Sequence, residues 1–160
     1  MDVAAKRWIG AQELYEDSLR LALMVLDSGF APTLLLGLWR GGIDARAPRL
    51  RIHGIEALAV AGFDCRRVLI VDDVFDTGIT LEQTLDALRA LPAAHAAEIR
   101  IATVWWKPAR NRTGITPHYW LHRTAQWLVF PHELCGLDAS EILREKPGAA
   151  VLSQRLQPGS

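Results

Sequence analysis

The stretch that decides the fold is Val68-Leu69-Ile70-Val71-Asp72-Asp73-Val74-Phe75-Asp76-Thr77-Gly78-Ile79-Thr80. An unbroken apolar run before a polar turn is typical of a central parallel strand that is buried on both faces. An unpaired charge is costly inside a core, so the adjacent Asp72 and Asp73 are expected where the strand reaches the carboxyl edge of the sheet. In open α/β sheets that edge is where ligands bind.

The two adjacent carboxylates are expected to have different roles, because successive side chains of a strand point to opposite sides. One could bind sugar hydroxyls while the other faces a divalent cation. Mg²⁺ binds a few carboxylate oxygens together with waters and substrate phosphates, so an exposed acidic pair suits it. The pattern at Asp72 and Asp73 therefore indicates a ligand that carries a sugar, a phosphate and a metal ion.

The loop that follows has the features of a phosphate cradle. Residues 76–80 precede leucines that repeat at helical spacing, and a helix amino end offers unpaired amide donors and a positive dipole end. Gly78 lets the backbone approach a ligand closely, and Thr77 and Thr80 add hydroxyl donors. The alternative is an ordinary strand-loop-helix unit with Asp76 or Thr77 as the N-cap.

Taken over all thirteen positions, this segment resembles the phosphoribosyl-diphosphate (PRPP) signature of type I phosphoribosyltransferases. The resemblance implies that Asp72 and Asp73 bind the ribose hydroxyls and the Mg²⁺-bearing side of PRPP. It places Asp76 where the family's purine enzymes have a candidate general base. It makes residues 76–80, with Thr77, Gly78, Ile79 and Thr80, the loop around the 5′-phosphate.

A second segment, 33–38, is another apolar run, and Trp39-Arg40-Gly41-Gly42 follows it. Paired glycines after an arginine can present backbone amides and a guanidinium to a diphosphate, although Gly-Gly is often just a turn. Beside the first motif, Arg40, Gly41 and Gly42 resemble the family's diphosphate loop, in the form found in small bacterial xanthine-guanine enzymes. Trp39 departs from that form, which has a small residue there.

Two further segments concern the base. A strand is predicted over 101–106, and Lys107 follows it, where the family's 6-oxopurine enzymes have a lysine that meets the purine O6. Lysine is only a donor, so it selects a carbonyl over the amino group of adenine. Trp127 resembles the ring that stacks on the purine, and Leu128 would supply backbone contacts. The alternative for Trp127 is a core or interface residue.

Bulk properties predict a compact enzyme of the cytoplasm. The 160 residues suit one domain with a sizeable core. The 18 basic and 18 acidic residues cancel, so no general attraction to nucleic acid is expected. No stretch reaches the ~18 apolar residues of a membrane span, and the start lacks a signal-peptide core. Cys65 and Cys135 are expected as reduced thiols, with a disulfide left open.

The alternation of strands and helices predicts an α/β fold: an open, mainly parallel sheet flanked by helices, with a small C-terminal cap. Helices are expected over 11–27, 45–51, 77–91 and 138–145, with strands over 33–38, 57–61, 68–71 and 98–105. Residues 1–146 are predicted to form a single phosphoribosyltransferase domain whose cap spans about 108–135. Residues 147–160 are predicted to be a flexible tail.

The resemblance implies a phosphoribosyltransferase that moves 5-phosphoribose from PRPP to a 6-oxopurine (hypoxanthine, guanine or xanthine), with Mg²⁺ as cofactor and a dimer or tetramer as the assembly. One departure stands out. The family's long mobile loop, which precedes the PRPP strand and excludes water, has only residues 62–67 available here. Two alternatives therefore stay open: a non-catalytic PRPP- or nucleotide-binding regulator, and a transferase for a non-purine base.

Overall fold

The computed structural model describes residues 6–38, 62–134, 136–146 and 148–152, without the side chains of residues 150 and 152. The chain divides into two compact units. One contains the described residues among 16–125, and the other contains those among 1–15 and 126–160. Within the described ranges, no helix is both long enough and apolar enough to span a membrane.

The larger unit is built on a four-stranded sheet in which every strand pairs in parallel with its neighbours. Its strands are, in spatial order, β2 (Leu34–Gly37), β3 (Arg67–Phe75), β4 (Glu98–Trp106) and β5 (Tyr119–Arg123). Parallel neighbours need crossover connections, and the helix α2 (Ile79–Arg89) lies in the connection between β3 and β4. The predicted mainly parallel sheet with flanking helices is confirmed.

The core of this unit forms between the central strands and α2. Val68 and Ile70 of β3 and Leu88 of α2 are fully buried. Ile101 of β4 is 2 % exposed. Leu81, Leu85 and Leu88 recur at spacings of four and three, so they form one stripe of the helix and join the same cluster. The apolar runs at 68–71 and 101–106 therefore became the inner strands, whereas the run at 33–38 became β2.

The helix α1 (Ala11–Asp27) ends where the sequence predicts. Gly29, at φ +72°, takes the left-handed conformation that commonly ends helices. Within the larger unit α1 is tied to β5, because the carboxylate of Asp17 lies 2.7 Å from His122 Nε2 and 2.7 Å from Arg20 Nη1. Burial raises the pKa of Asp17, but the hydrogen bonds from His122 and Arg20 outweigh it, and the net pKa lies below its ordinary value.

Two expectations about boundaries are corrected. The strand β3 continues past Asp72 and Asp73 to Phe75, because the apolar pattern resumes and the backbone stays paired with β4 at Val74 and Phe75. Residues 119–123, which the sequence analysis assigned to the cap, form β5 of the sheet: their backbone pairs with residues 102–106.

The smaller unit has its own parallel pair, β1 (Lys6–Trp8) with β6 (Trp127–Val129), and the helix α3 (Ala139–Glu145). Asp138 and Glu141 form a reciprocal capping box at the amino end of α3. Lys6 pairs with Glu141, and the buried Lys146 donates to the Phe130 carbonyl. Of the predicted tail, residues 149–152 form a 3₁₀ turn.

Some expectations fall outside the described residues: the helix at 45–51, the strand at 57–61, Cys135 and the tail beyond residue 152. Of the two cysteines, Cys65 is a buried free thiol, as predicted. The helices predicted at 77–91 and 138–145 are shorter by one or two residues at their ends, as α2 and α3, which is the usual uncertainty of helix ends.

A histidine completes the backbone pairing where β5 begins. The Nδ1 atom of His118 accepts the amide of the buried Ile101 at 3.1 Å, and the His118 amide donates to the Ile101 carbonyl. Partial burial and the nearby Arg100 guanidinium lower the pKa of His118 from 6.5, and Glu98 opposes this shift. The acceptor nitrogen is thus kept unprotonated at neutral pH.

This contact predicts a pH-dependent contribution to stability. Because the folded-state pKa of His118 is lowered, its contribution is complete above the unfolded value of 6.5 and is lost as the pH falls through the folded value. We expect His118→Ala to cost about 1–3 kcal/mol in the free energy of unfolding at neutral pH, since the Ile101 amide loses its acceptor. Urea unfolding at about pH 7.5 and about pH 5 measures both effects.

The exposed His95 on the turn after α2 provides the control, so His95→Ala should follow the wild type at both pH values. The cost of His118→Ala should shrink at the lower pH, where the wild type has also lost the contact. An equal cost at both values would show that His118 contributes only by packing.

Candidate active site

The pairing of β3 with β4 brings a carboxylate and an ammonium together at the sheet edge. Phe75 lies opposite Trp106 in the register, and the pairing extends one step further because the Lys107 amide donates to the Phe75 carbonyl at 2.9 Å. The next side chains, Asp76 and Lys107, therefore meet: Lys107 Nζ lies 3.6 Å from Asp76 Oδ2. Lys107 is 6 % exposed, so its charge is held close to that carboxylate.

The acidic pair lies just before this point on β3. Asp72 is 6 % exposed and lies opposite Thr103, while Asp73 is half-buried. The Asp72 carboxylate is turned toward its own backbone, where it accepts the Asp73 amide. Two neighbouring carboxylates with different burial can thus present oxygens in different directions, as the alternation of strand side chains requires.

A small concave region, open to solvent, lies over the loop after β3. Its floor is the amino end of α2, where Gly78 is the N-cap residue at φ +81° and has no side chain with which to cap the helix. The first amides of α2 have no partner within the helix, so they can donate to an anion. The lining residues are Asp72, Val74, Phe75, Asp76, Thr77, Gly78, Thr80 and Leu81.

A second segment crosses this loop. We call residues 108–115 the strap; it begins with the 3₁₀ turn Pro108–Arg110. Arg110 Nε lies 2.7 Å from Asp76 Oδ1, and the Arg112 amide donates to the Thr77 carbonyl at 2.9 Å. A Cβ atom on Gly78 would come within 2.5 Å of Thr113 Oγ1 and 3.0 Å of the Phe75 ring. The strap therefore packs so closely on the loop that only glycine fits.

The donor chemistry can be compared with what Mg²⁺ requires. Among residues 6–38, 62–134, 136–146 and 148–152, no group of three histidine, cysteine or carboxylate side chains forms a protein-only metal site. Mg²⁺ does not need one, because it is usually held by one or two carboxylates plus waters and substrate phosphates. Asp72 lines the concave region and Asp73 follows it on β3, so the two supply carboxylates of the kind that this mode of binding uses. The pair is less exposed than the sequence predicted, because Asp72 is buried and Asp73 is half-buried.

Comparison with known proteins agrees with this geometry. Residues 45–131, more than half of the chain, match the model of the phosphoribosyl transferase domain. The chain belongs to the phosphoribosyltransferase family. It is thus a transferase of the glycosyltransferase class, and the sequence prediction of the family and of an enzyme is confirmed. No curated protein matches the chain.

Solved structures of two phosphoribosyltransferases and of one further protein share the fold. A purine phosphoribosyltransferase from Pyrococcus horikoshii is 27 % identical with a TM-score of 0.59, and the match covers 86 % of this chain and 97 % of that one. The xanthine-guanine-hypoxanthine enzyme of Helicobacter pylori is 18 % identical with a TM-score of 0.55, over 79 % and 92 %. A Neisseria gonorrhoeae protein with bound ppGpp is 16 % identical with a TM-score of 0.69, over 91 % and 97 %.

The predicted site residues of this phosphoribosyltransferase fall into three groups. Those of β3, the phosphate loop and Lys107 lie in the larger unit, and most of them line or contact the concave region. Trp127, half exposed, and Leu128, buried, lie on β6 of the smaller unit, so their base-binding role stays a prediction. Arg40, Gly41 and Gly42 lie outside the described residues.

Arg110 and Thr113 are not among the residues that the sequence predicts for the site. Neither belongs to the thirteen-residue motif, and each reaches it only because the strap crosses the loop. One signal could have found Arg110: a proline directly after Lys107 favours a tight helical turn, and residues three apart in a 3₁₀ turn lie on the same side. Nothing in the local sequence marks Thr113 as a neighbour of Gly78.

The fit between the strap and the loop at residues 76–80 predicts the effect of adding one methyl group at Gly78. We expect Gly78→Ala to destabilise the enzyme by at least the ~1–2 kcal/mol that a left-handed backbone costs a residue with a Cβ atom. The contact with Thr113 adds to that cost, and turnover should fall because the loop is displaced. Urea unfolding and a steady-state assay measure the two effects.

Gly114, in the same strap, has open space where a Cβ atom would stand and no positive φ, so Gly114→Ala is the matched control. Adding Thr113→Ala to Gly78→Ala should restore part of the stability, because it removes the nearest atom. If Gly78→Ala is as stable as Gly114→Ala, the close packing of the strap is not a constraint.

Proposed function

We propose that this phosphoribosyltransferase transfers 5-phosphoribose from PRPP to a 6-oxopurine, giving the nucleoside monophosphate and diphosphate. The observation that carries this proposal is the buried Lys107, with its ammonium 3.6 Å from the Asp76 carboxylate at the edge of the sheet. The relative at 27 % identity is itself named a purine phosphoribosyltransferase, which supports the same class of base.

A lysine beside a carboxylate suits the edge of a 6-oxopurine that carries O6 and N7. The ammonium only donates, so it pairs with the carbonyl oxygen, and the carboxylate accepts from the ring N–H. Adenine presents an amino group in place of the carbonyl, which would leave the buried ammonium facing a donor. Such a mismatch is costly in a buried site. Lys107 and Asp76 would therefore disfavour adenine as well as favour a 6-oxopurine.

The bond changes follow from this arrangement. The bond from ribose C1 to the diphosphate oxygen breaks as a bond forms from C1 to N9, the other nitrogen of the five-membered ring. The proton on N7 passes to the Asp76 carboxylate, and diphosphate leaves with the bonding electron pair. The amides at the amino end of α2, with Thr77, Gly78, Ile79 and Thr80, would hold the 5′-phosphate and so position C1 against the base.

The acidic pair would hold the ribose hydroxyls and Mg²⁺. When bound, Mg²⁺ neutralises charge that develops on the diphosphate oxygens. Asp73, half-buried, is our candidate for the carboxylate that faces the ion, and Asp72 for the one that orients the ribose. Trp127 would stack on the purine with Leu128 providing backbone contacts, while Arg40, Gly41 and Gly42 would bind the diphosphate.

The experiment is a transferase assay with PRPP, Mg²⁺ and each base separately: hypoxanthine, guanine, xanthine, adenine, and a pyrimidine as an unrelated ring. We expect turnover with at least one 6-oxopurine and little with adenine, because only the carbonyl pairs with Lys107. Replacing Lys107 with Gln should lower kcat/KM for the preferred base roughly 10- to 100-fold, the value of a hydrogen bond from a charged donor.

Preference for adenine or for the pyrimidine would exclude the 6-oxopurine proposal. A chain that binds PRPP or nucleotides by calorimetry and turns over no base would instead be a regulator. ppGpp belongs among the ligands tested, since the structurally similar Neisseria protein was solved with it bound. An unchanged base preference in the Lys107→Gln variant would remove Lys107 from base recognition.

The roles of the acidic pair lead to a separate expectation. Asp72→Asn and Asp73→Asn should each abolish most turnover while leaving folding intact, because asparagine keeps an oxygen that can accept the same hydrogen bonds but loses the charge. For Asp73→Asn, the Mg²⁺ concentration needed for half-maximal rate should also rise. Rates measured across a Mg²⁺ titration, with circular dichroism for folding, test both.

Asp86, exposed on α2, is the control for the loss of one negative charge, and Asp86→Asn should titrate with Mg²⁺ like the wild type. Turnover retained by both variants of the acidic pair would remove their assigned roles.

A further inference from the structure

The proposed reaction gives no task to Arg110, although it makes the shortest charged contact in the site. Its Nε atom lies 2.7 Å from Asp76 Oδ1, in an ion pair without the geometry of a hydrogen bond, whereas Lys107 Nζ lies 3.6 Å from the other oxygen, Oδ2. Each oxygen of the Asp76 carboxylate thus faces its own cation. The Arg110 side chain is 56 % exposed. Exposed ion pairs contribute only ~0–1 kcal/mol to the free energy of unfolding, so this pair stabilises the fold little.

We infer that Arg110 is a positioning residue for the transfer step, which it serves by holding the Asp76 carboxylate in the orientation that accepts the purine proton. This inference rests on the proposed function, in which Asp76 is the proton acceptor. It assigns to the strap a role in catalysis that neither the PRPP motif nor Lys107 supplies.

The reason lies in what happens when the base binds. In the proposed complex Lys107 donates to the purine O6, so its hold on Asp76 weakens. Arg110 remains as the cation on the carboxylate, and it contacts Oδ1, which leaves Oδ2 for the proton. Small errors in the placement of a reacting group are expensive: a displacement of ~1 Å can cost on the order of 100-fold in rate. A contact of low stability can therefore have a large effect on turnover.

The strap is built to keep Arg110 in place. Pro108 has a restricted φ and starts the 3₁₀ turn, and the Arg110 amide donates to the Lys107 carbonyl at 3.0 Å. Beyond the turn, Asn111 accepts from the Thr113 amide and hydroxyl, each at 3.0 Å, and donates to the Ile115 carbonyl at 2.8 Å. The backbone that carries Arg110 is thus pinned on both sides.

The test is a double-mutant cycle on Arg110→Ala and Asp76→Asn, with steady-state kinetics for the preferred base and for PRPP. We expect Arg110→Ala to lower kcat roughly 10- to 100-fold with little change in either KM, since the lost group orients an acceptor and binds neither substrate. In the Asp76→Asn background, Arg110→Ala should have almost no further effect, because the two residues act as one unit. Arg110→Lys should recover part of the rate.

The control for the loss of a positive charge is Arg89→Ala, on the exposed last turn of α2, which should keep the wild-type kcat. If Asp76→Asn lowers turnover and Arg110→Ala does not, the inference about Arg110 fails and the proposed function stands. If Arg110→Ala raises the KM for PRPP and its effect adds to that of Asp76→Asn, Arg110 binds substrate directly and the inference also fails. If Asp76→Asn keeps the wild-type kcat, both the proposed role of Asp76 as proton acceptor and the inference about Arg110 fail.

Discussion

The parallel pairing of β3 with β4 is the constraint on which the site depends. Its register runs from Arg67 opposite Glu98 to Phe75 opposite Trp106, and buried apolar residues on both strands prevent a slip. A shift by one residue would turn every side chain to the other face of the sheet. Because the ladder ends with the Lys107 amide on the Phe75 carbonyl, Asp76 and Lys107 are neighbours by construction. The geometry of the site at the sheet edge is thus set by the packing of the core strands.

The loop at residues 76–80 lacks a stabilising N-cap side chain and leaves the amino end of α2 open. A serine, threonine or aspartate N-cap would supply a hydrogen bond of about 1 kcal/mol, and this chain has Gly78 there, at a positive φ. The strap compensates with backbone and packing contacts through Arg112 and Thr113. The loop is therefore supported from the side of β4, and the helix amides stay available to an anion.

Asp76 is the residue where the charge balance matters most. It is flanked by one buried cation and one exposed cation, each on a different oxygen. The buried Lys107 ammonium lies close to Asp76, and in the proposed complex it would also meet a carbonyl of the base. A shift of the ammonium toward that carbonyl would link base recognition to the release of one carboxylate oxygen. Base selectivity and proton transfer would then depend on the same three side chains, those of Asp76, Lys107 and Arg110.

The sequence by itself determined the buried strand, the acidic pair, the glycine-containing loop and the lysine after the next strand, because each rests on local composition and spacing. It did not place residues 119–123 in the sheet as β5, since a short strand at the edge of the sheet carries polar and aromatic residues without a long apolar run. It also missed Arg110 and Thr113, which reach the loop only through the strap. Such contacts between segments more than thirty residues apart follow from strand order and register, which only the tertiary structure decides.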